Sequence, residues 1–435
     1  MPCRPRRVVV VALIVMAVAS SCGGSSSPTD LDADTTEALD EATDRWLDRY
    51  QEVADGVDEI PEPAPAFVGA VWAESRAAAE TAARLRDDGE VAGAYRAAVR
   101  AAAMATGVGA LADAYGVLVE QGPVAFGELI ATGDTAGEEV GAELVELLRF
   151  EPSNVSQAAA LTAGYATALD AASLALLGVE LLERPGRDAE EQLWLHSLTG
   201  FYFAVAPVLA EAAAEQVELG SDLDGPPIRG DAYAAGDVLR AAAETDLSRF
   251  QDEVVGGAAR AAGTENGPVI DALAGYDLDY SLAVANLHLL EVLDDVFGGA
   301  PNEQYALLGG ALSAYERVRA LNARYAHYGW MLDESLSVSR DPDPQTVFEA
   351  RIAAEQRLDA SLEWLRDSEI VPVDVIARLE AGRVVSGDGD SADEVSPDVG
   401  VDDVGALSAL WGAETTAAVL AYLGGIDGSV PEREP

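Results

Sequence analysis

Beyond about residue 35 an apolar side chain returns every three or four positions, and the Val, Ile and Thr alternation that strands require is nearly missing. A period of 3.6 buries one face of a helix and cannot bury one face of a strand, so the chain is predicted to be all-α. Leu39, Thr43, Trp46, Leu47, Tyr50 and Val53 fall on one stripe, with Asp40, Asp44, Asp48 and Glu52 off it. Val140, Leu144, Val145, Leu147 and Leu148 form a second, with Glu138, Glu139, Glu143 and Glu146 on the opposite side. Breakers at Pro61 to Pro65, Pro123, Pro152, Pro185-Gly186, Pro226-Pro227, Pro268, Pro301, Pro342 to Pro344 and Pro372 divide the rest into about ten to thirteen helices. The expected architecture is a multi-helix bundle or a solenoid-like array, with a helical body over residues 35–385, an acidic mobile loop over 386–403 and a last helix over 404–424.

Sliding the sequence by about 111 positions brings Ala163-Gly164-Tyr165 onto Ala274-Gly275-Tyr276, Glu180 onto Glu291 and Leu182 onto Leu293. This predicts two duplicated helical bundles over residues 113–219 and 229–335. Near Gly89, the spacing of Val91, Ala94, Tyr95, Ala98 and Ala101 resembles one tetratricopeptide hairpin, although the repeat of about 34 residues does not continue.

The N-terminus carries a separate message. Arg4, Arg6 and Arg7 precede the apolar run 8–19, which ends at Ser20, Ser21 and Cys22. Charged, apolar and small residues in that order make a secretory signal, and the run is shorter than the roughly 20 residues a bilayer crossing needs. Ala19-Ser20-Ser21-Cys22 resembles the lipobox of bacterial lipoproteins, which implies removal of residues 1–21 and lipid attachment to Cys22. A plain signal and an uncleaved anchor are the alternatives. Residues 22–34, opening with Gly23-Gly24-Ser25-Ser26-Ser27-Pro28, then read as a disordered, flexible tether. No later segment is expected to reach transmembrane length without charge, so the body is expected to be soluble and held to the outer face of the cell membrane.

Charge narrows the partners. The chain has 27 basic residues, all arginine, against 76 acidic ones, a formal net charge of −49. Such a surface repels phosphate backbones, so nucleic acid is excluded as a partner, and polybasic docking on anionic lipid is excluded for the same reason. Attraction of cations and solubility in a salty medium both fit this acidity.

Histidine chemistry has three carriers, His196, His288 and His327. His288, Glu291 and Asp295 stand at i, i+3 and i+7 on one helix face, the donor set of half a divalent-metal site. His288-Leu289-Leu290-Glu291 resembles the HxxE motif of the imelysin family, exported proteins of two duplicated helical bundles, and the resemblance implies metal handling through His288 and Glu291. A solvated polar face is the plainer reading of the same residues. Tyr325, His327, Tyr328 and Trp330, with Asn322 and Arg324, combine stacking faces and hydrogen-bond groups suited to a ligand pocket or to a core edge. Trp194, His196, Phe201, Tyr202 and Phe203 form a comparable run. The acidic loop at Asp388, Asp390, Asp393 and Glu394 departs from the EF-hand pattern at Ala392, Asp393 and Val399. With no Gly-x-Ser-x-Gly elbow and no thiol beyond Cys22, the sequence favours a non-enzymatic binding or scaffold lipoprotein of the cell envelope, partnered by an envelope protein or a small ligand. The imelysin-like metal protein is its rival.

Overall fold

A computed structural model describes residues 31–57, 66–121, 126–183, 189–251, 278–297, 302–336, 372–383 and 401–425, with isolated positions between 358 and 370. Among the described residues the chain is an all-α bundle of eleven helices without strands. They are α1 (Ala33–Gly56), α2 (Ala66–Asp87), α3 (Val91–Gln121), α4 (Phe126–Leu147), α5 (Val155–Glu183) and α6 (Ala189–Gly220), followed by α7 (Ala232–Phe250), α8 (Leu278–Phe297), α9 (Glu303–Leu336), α10 (Val373–Arg383) and α11 (Val401–Leu423). The last helix thus starts three residues before its expected position.

The stripes place the outer helices. In α1, Leu39, Thr43 and Trp46 are buried as the periodicity requires, and the Asp32 carboxylate caps the first turn by accepting from the Thr35 backbone N–H at 2.7 Å. In α4, Val140, Leu144 and Leu147 are buried, whereas Val145 turns out to the surface. The α2–α3 connection is a three-residue reversal, Asp88-Gly89-Glu90, closed by Gly89 at φ +79, with Glu90 N–H donating to Leu85 O at 2.8 Å and Gly89 N–H to Arg86 O at 3.0 Å. This pair of bonds is a Schellman cap, whose left-handed residue is the one place in the turn where glycine is required.

The inner helices follow different rules. α5 packs on α4, α6, α8 and α9, so most of its length has no solvent face to reserve for charge, and exposure begins only in its last turns at Leu176 and Val179. α3, α5 and α6 consequently carry stretches Val91–Glu120, Val155–Glu183 and Gln192–Gly220 that are long and apolar enough, by length and composition, to cross a membrane. The expectation that no segment after the tether reaches that length is corrected. A helix apolar on all sides suits the middle of a large bundle as well as a bilayer, and here all three helices contribute to one continuous core. Pro207, absent from the expected breakers, lies inside α6.

Close approach depends on small residues. The Phe203 ring on α6, 1% exposed, sits against Gly133 of α4 and Gly178 of α5. At the α5–α9 crossing, a β-carbon on Gly309 would stand 2.6 Å from the carbonyl oxygen of Thr162, so any side chain there forces the two axes apart. Asn302 ties the end of α4 to the entry of α9. Its side-chain N–H groups donate to Leu147 O at 2.8 Å and Phe150 O at 2.6 Å, and its Oδ1 lies 3.4 Å from the buried Tyr165 hydroxyl. Asn302→Ala removes the side-chain donor from Phe150 O and leaves Leu147 O only the Phe150 N–H at 3.2 Å, and urea unfolding is expected to show a loss of about 2 kcal/mol. A loss near zero would mean that water replaces the amide.

Among the described residues α4, α5 and α6 fall on the first of the two stretches expected from the duplication and α7, α8 and α9 on the second, with α6 and α9 each running one residue past it. Residues 252–277, with Ala274-Gly275-Tyr276, lie outside the described residues, as do Cys22, the tether to residue 30 and the acidic loop through residue 400.

Candidate functional site

Six helices leave a half-enclosed cavity of about 60 Å³ between them, lined by Leu39 of α1, Tyr95 and Arg96 of α3, Ala159, Ala160 and Ala163 of α5, Gln216 and Leu219 of α6, Asp374 of α10 and Thr416 and Leu420 of α11. It occupies one end of the bundle, where α1, α3, α5 and α10 begin and α6 and α11 end. The walls are stitched together by backbone. Val155 N–H donates to Pro226 O at 2.9 Å, Asn154 Nδ2 to Leu223 O at 2.8 Å and Gln157 Nε2 to Ser221 O at 2.7 Å, joining the α5 entry to the α6–α7 connection. Arg229 and Gly230 N–H then both donate to Leu423 O, at 2.8 and 2.9 Å, fastening that connection to α11.

Polar groups concentrate on one wall. Arg96 Nη1 donates to Asp374 Oδ1 at 2.8 Å, Arg378 Nε donates to Asp374 Oδ2 at 2.8 Å, and Arg378 Nη1 donates to Glu316 Oε2 at 2.5 Å. The Thr416 hydroxyl reaches Glu316 Oε1 at 3.3 Å. Gly412 makes room for this chain, since a β-carbon there would sit 2.5 Å from Arg378 Nη1. The α11 helix contributes Trp411 as well, whose ring lies 4.5 Å under the guanidinium of Arg319.

The titrations follow from the pairing. Burial raises the Asp374 carboxyl, but the charges of Arg378 and Arg96 outweigh it and hold the group below the usual carboxylate range. Burial lowers Arg96, and the like charge of Arg378 adds to that, against the pull of Asp374. Arg378 is raised, because Asp374 and Glu316 overcome its own desolvation. Burial pushes the Tyr95 hydroxyl well up, helped by the nearby Glu215 carboxylate, which also accepts from Trp46 Nε1 at 2.5 Å.

The residues singled out in the sequence lie elsewhere. His288 and Glu291 stand on the outer face of α8 with 68% and 62% of their side chains exposed, Nδ1 to Oε2 at 3.7 Å. Glu291 also lies 3.7 Å from Arg240 of α7, a cation already beside the carboxylate. Asp295 belongs to α8, but its side chain lies outside the described residues. Among the described residues no group of three or more His, Cys, Asp or Glu is placed to hold a metal ion. Tyr325, His327, Tyr328 and Trp330 fall in the last part of α9, and their side chains also lie outside the described residues. In the comparable run, Trp194 stacks on Tyr115 at 4.4 Å, His196 Nε2 lies 2.6 Å from Gln192 Nε2, and Phe203 is core.

Arg96, Gln216 and Asp374 were not among the sequence candidates. A signal existed for Arg96, which interrupts an alanine-rich helix with a charge that can be enclosed only when paired. In class, then, the chain is an all-α bundle of long, small-residue-packed helices with a polar-walled cavity at one end. No protein-family model, curated protein or solved structure matches it.

Proposed function

We propose that this is an exported, lipid-anchored helical protein of the cell envelope that acts by binding or scaffolding rather than by catalysis. The observation that carries the reading is the order of Arg4, Arg6 and Arg7, the apolar run 8–19 and the small-residue boundary at Cys22. Two or three acyl chains on one cysteine hold a protein on a membrane almost irreversibly, because each buried methylene contributes about 0.8 kcal/mol.

The fold gives this anchor a geometry. Leu31 already packs on the core and α1 begins at Ala33, so a few residues separate Cys22 from the folded body. Fully extended, such a spacer reaches about 30 Å at roughly 3.3 to 3.6 Å per residue. α1 and α3 run parallel, since Leu39 and Tyr95 share the cavity while Val53 and Val57 lie against Gly109. The tether therefore leaves from the cavity end, and anchoring at Cys22 would keep that end within about 30 Å of the lipid.

The test is Cys22→Ser in the native host. Wild-type protein is expected in the membrane fraction with a mass increase at Cys22 and no residues before it, and the variant is expected in the aqueous fraction. An unmodified thiol at position 22 in native material overturns the anchor.

A further inference from the structure

We propose that the cavity at the α1–α3–α5–α6 end binds a small aliphatic monocarboxylate, its two oxygens held by Arg96 and Gln216 and its carbon chain laid on Ala160, Ala163, Leu219 and Leu420. This names a ligand class for the binding role above and rests on that reading, though not on the lipid anchor.

The hydrogen-bond inventory selects the head group. The Tyr95 hydroxyl is directed to Ala212 O at 3.4 Å and the Thr416 hydroxyl to Glu316. Asp374 accepts a guanidinium N–H on each oxygen, which compensates its charge. Gln216 Oε1 lies 3.2 Å from the Thr167 hydroxyl, which shares its single proton between that oxygen and Ala163 O at 3.1 Å, and the amide nitrogen is left over. Arg96 has five N–H donors and directs Nη1 to Asp374, while 36% of its side chain stays open. What remains on the lining is a pair of donors without a matching acceptor among the described residues. Donors alone select a head that only accepts, and a carboxylate meets a guanidinium with two parallel, charge-assisted bonds. Burial and the Arg378 charge both disfavour the charged form of Arg96, so an incoming anion restores what desolvation removed.

The apolar lining and the volume select the tail. A cavity of about 60 Å³ holds about four to six non-hydrogen atoms, at roughly 10 to 15 Å³ for each water-sized occupant. Acetate, propionate and butyrate fit that range; hexanoate exceeds it. Each methylene added within it is expected to tighten binding about fourfold, from the transfer free energy of one buried CH₂.

The probe is sodium butyrate, titrated calorimetrically into the full-length protein at constant ionic strength, with butyramide as the uncharged isostere. Saturable one-to-one binding is expected, tighter than propionate and acetate, with butyramide and Arg96→Gln each weaker by about tenfold or more. Gln216→Glu places a carboxylate at a half-exposed position and should abolish butyrate binding while leaving the helical circular dichroism and melting temperature unchanged. Butyramide binding as well as butyrate, wild-type affinity in both folded variants, or no saturation by any of the three acids up to about 20 mM would overturn the assignment. An absence of lipid on Cys22 would leave this titration unaffected, so the two failures are separable.

Discussion

Asp170→Ala is expected to destabilise the protein by about 3 kcal/mol, the cost of taking the shared acceptor out of an enclosed, partly charged hydrogen-bond network. Asp170 projects from α5 into the α5–α8–α9 junction, where its Oδ1 accepts from Asn286 Nδ2 at 2.8 Å, the Ser313 hydroxyl at 2.8 Å and Arg317 Nε at 3.3 Å. Its Oδ2 accepts from Arg317 Nη2, and the Ser173 hydroxyl closes the circuit by donating to Asn286 Oδ1. Asn286 and Ser173 are fully buried, and Arg317 keeps 20% of its side chain exposed. Removing the carboxylate strips acceptors from three donors in a region where water replaces them poorly. Urea unfolding followed by circular dichroism measures the loss, and a change below about 1 kcal/mol would show that the network is not energetically connected.

The same junction shows where sequence reading stops. The α1 stripe was legible because one face meets solvent and the other meets core, which is the condition that makes a period visible. α5 is enclosed on most sides, so its apolar residues show no stripe and its polar ones, Asp170 and Ser173, look like surface residues until α8 and α9 are placed around them. Val145 fits the α4 stripe by spacing yet faces outward, since spacing says which residues share a face and not how wide the contact is. Pro207, a residue type that ordinarily ends a helix, lies within α6, where packing on α3, α4 and α5 holds the helix together across it. His288 and Glu291 were legible as a pair, and the structure adds what no spacing could show, their solvent exposure and the neighbouring Arg240. The cavity was invisible for a simpler reason. Arg96 and Asp374 are separated by 278 positions, and nothing local to either announces the other.

Arg378→Met tests that long-range pairing, with an expected loss of about 3 kcal/mol at pH 7 that shrinks in acid. Arg378 bridges Asp374 on its own helix to Glu316 on α9, and all three side chains are largely enclosed, at 14%, 21% and 15% exposure. Methionine keeps most of the volume but leaves two carboxylates sharing Arg96 and the Thr416 hydroxyl. The sign of the pH dependence follows from Asp374. Its folded-state value is depressed, so its contribution is present above the unfolded value of 3.8 and is lost as pH falls through the lower folded value. Without Arg378 the larger of the two charges that lower Asp374 is gone, and Arg96 alone is left to oppose the upward push of burial. The variant can therefore relieve its orphaned charge by taking a proton at a pH where the wild type still has an intact pair. Acid also relaxes the repulsion within a chain of net charge −49, but it does so in both proteins and cancels in their difference. Urea unfolding at pH 7 and pH 4 should show the gap between wild type and variant narrowing. A gap that stays constant would assign the loss to packing rather than to charge, and the polar wall of the cavity would then be a matter of shape.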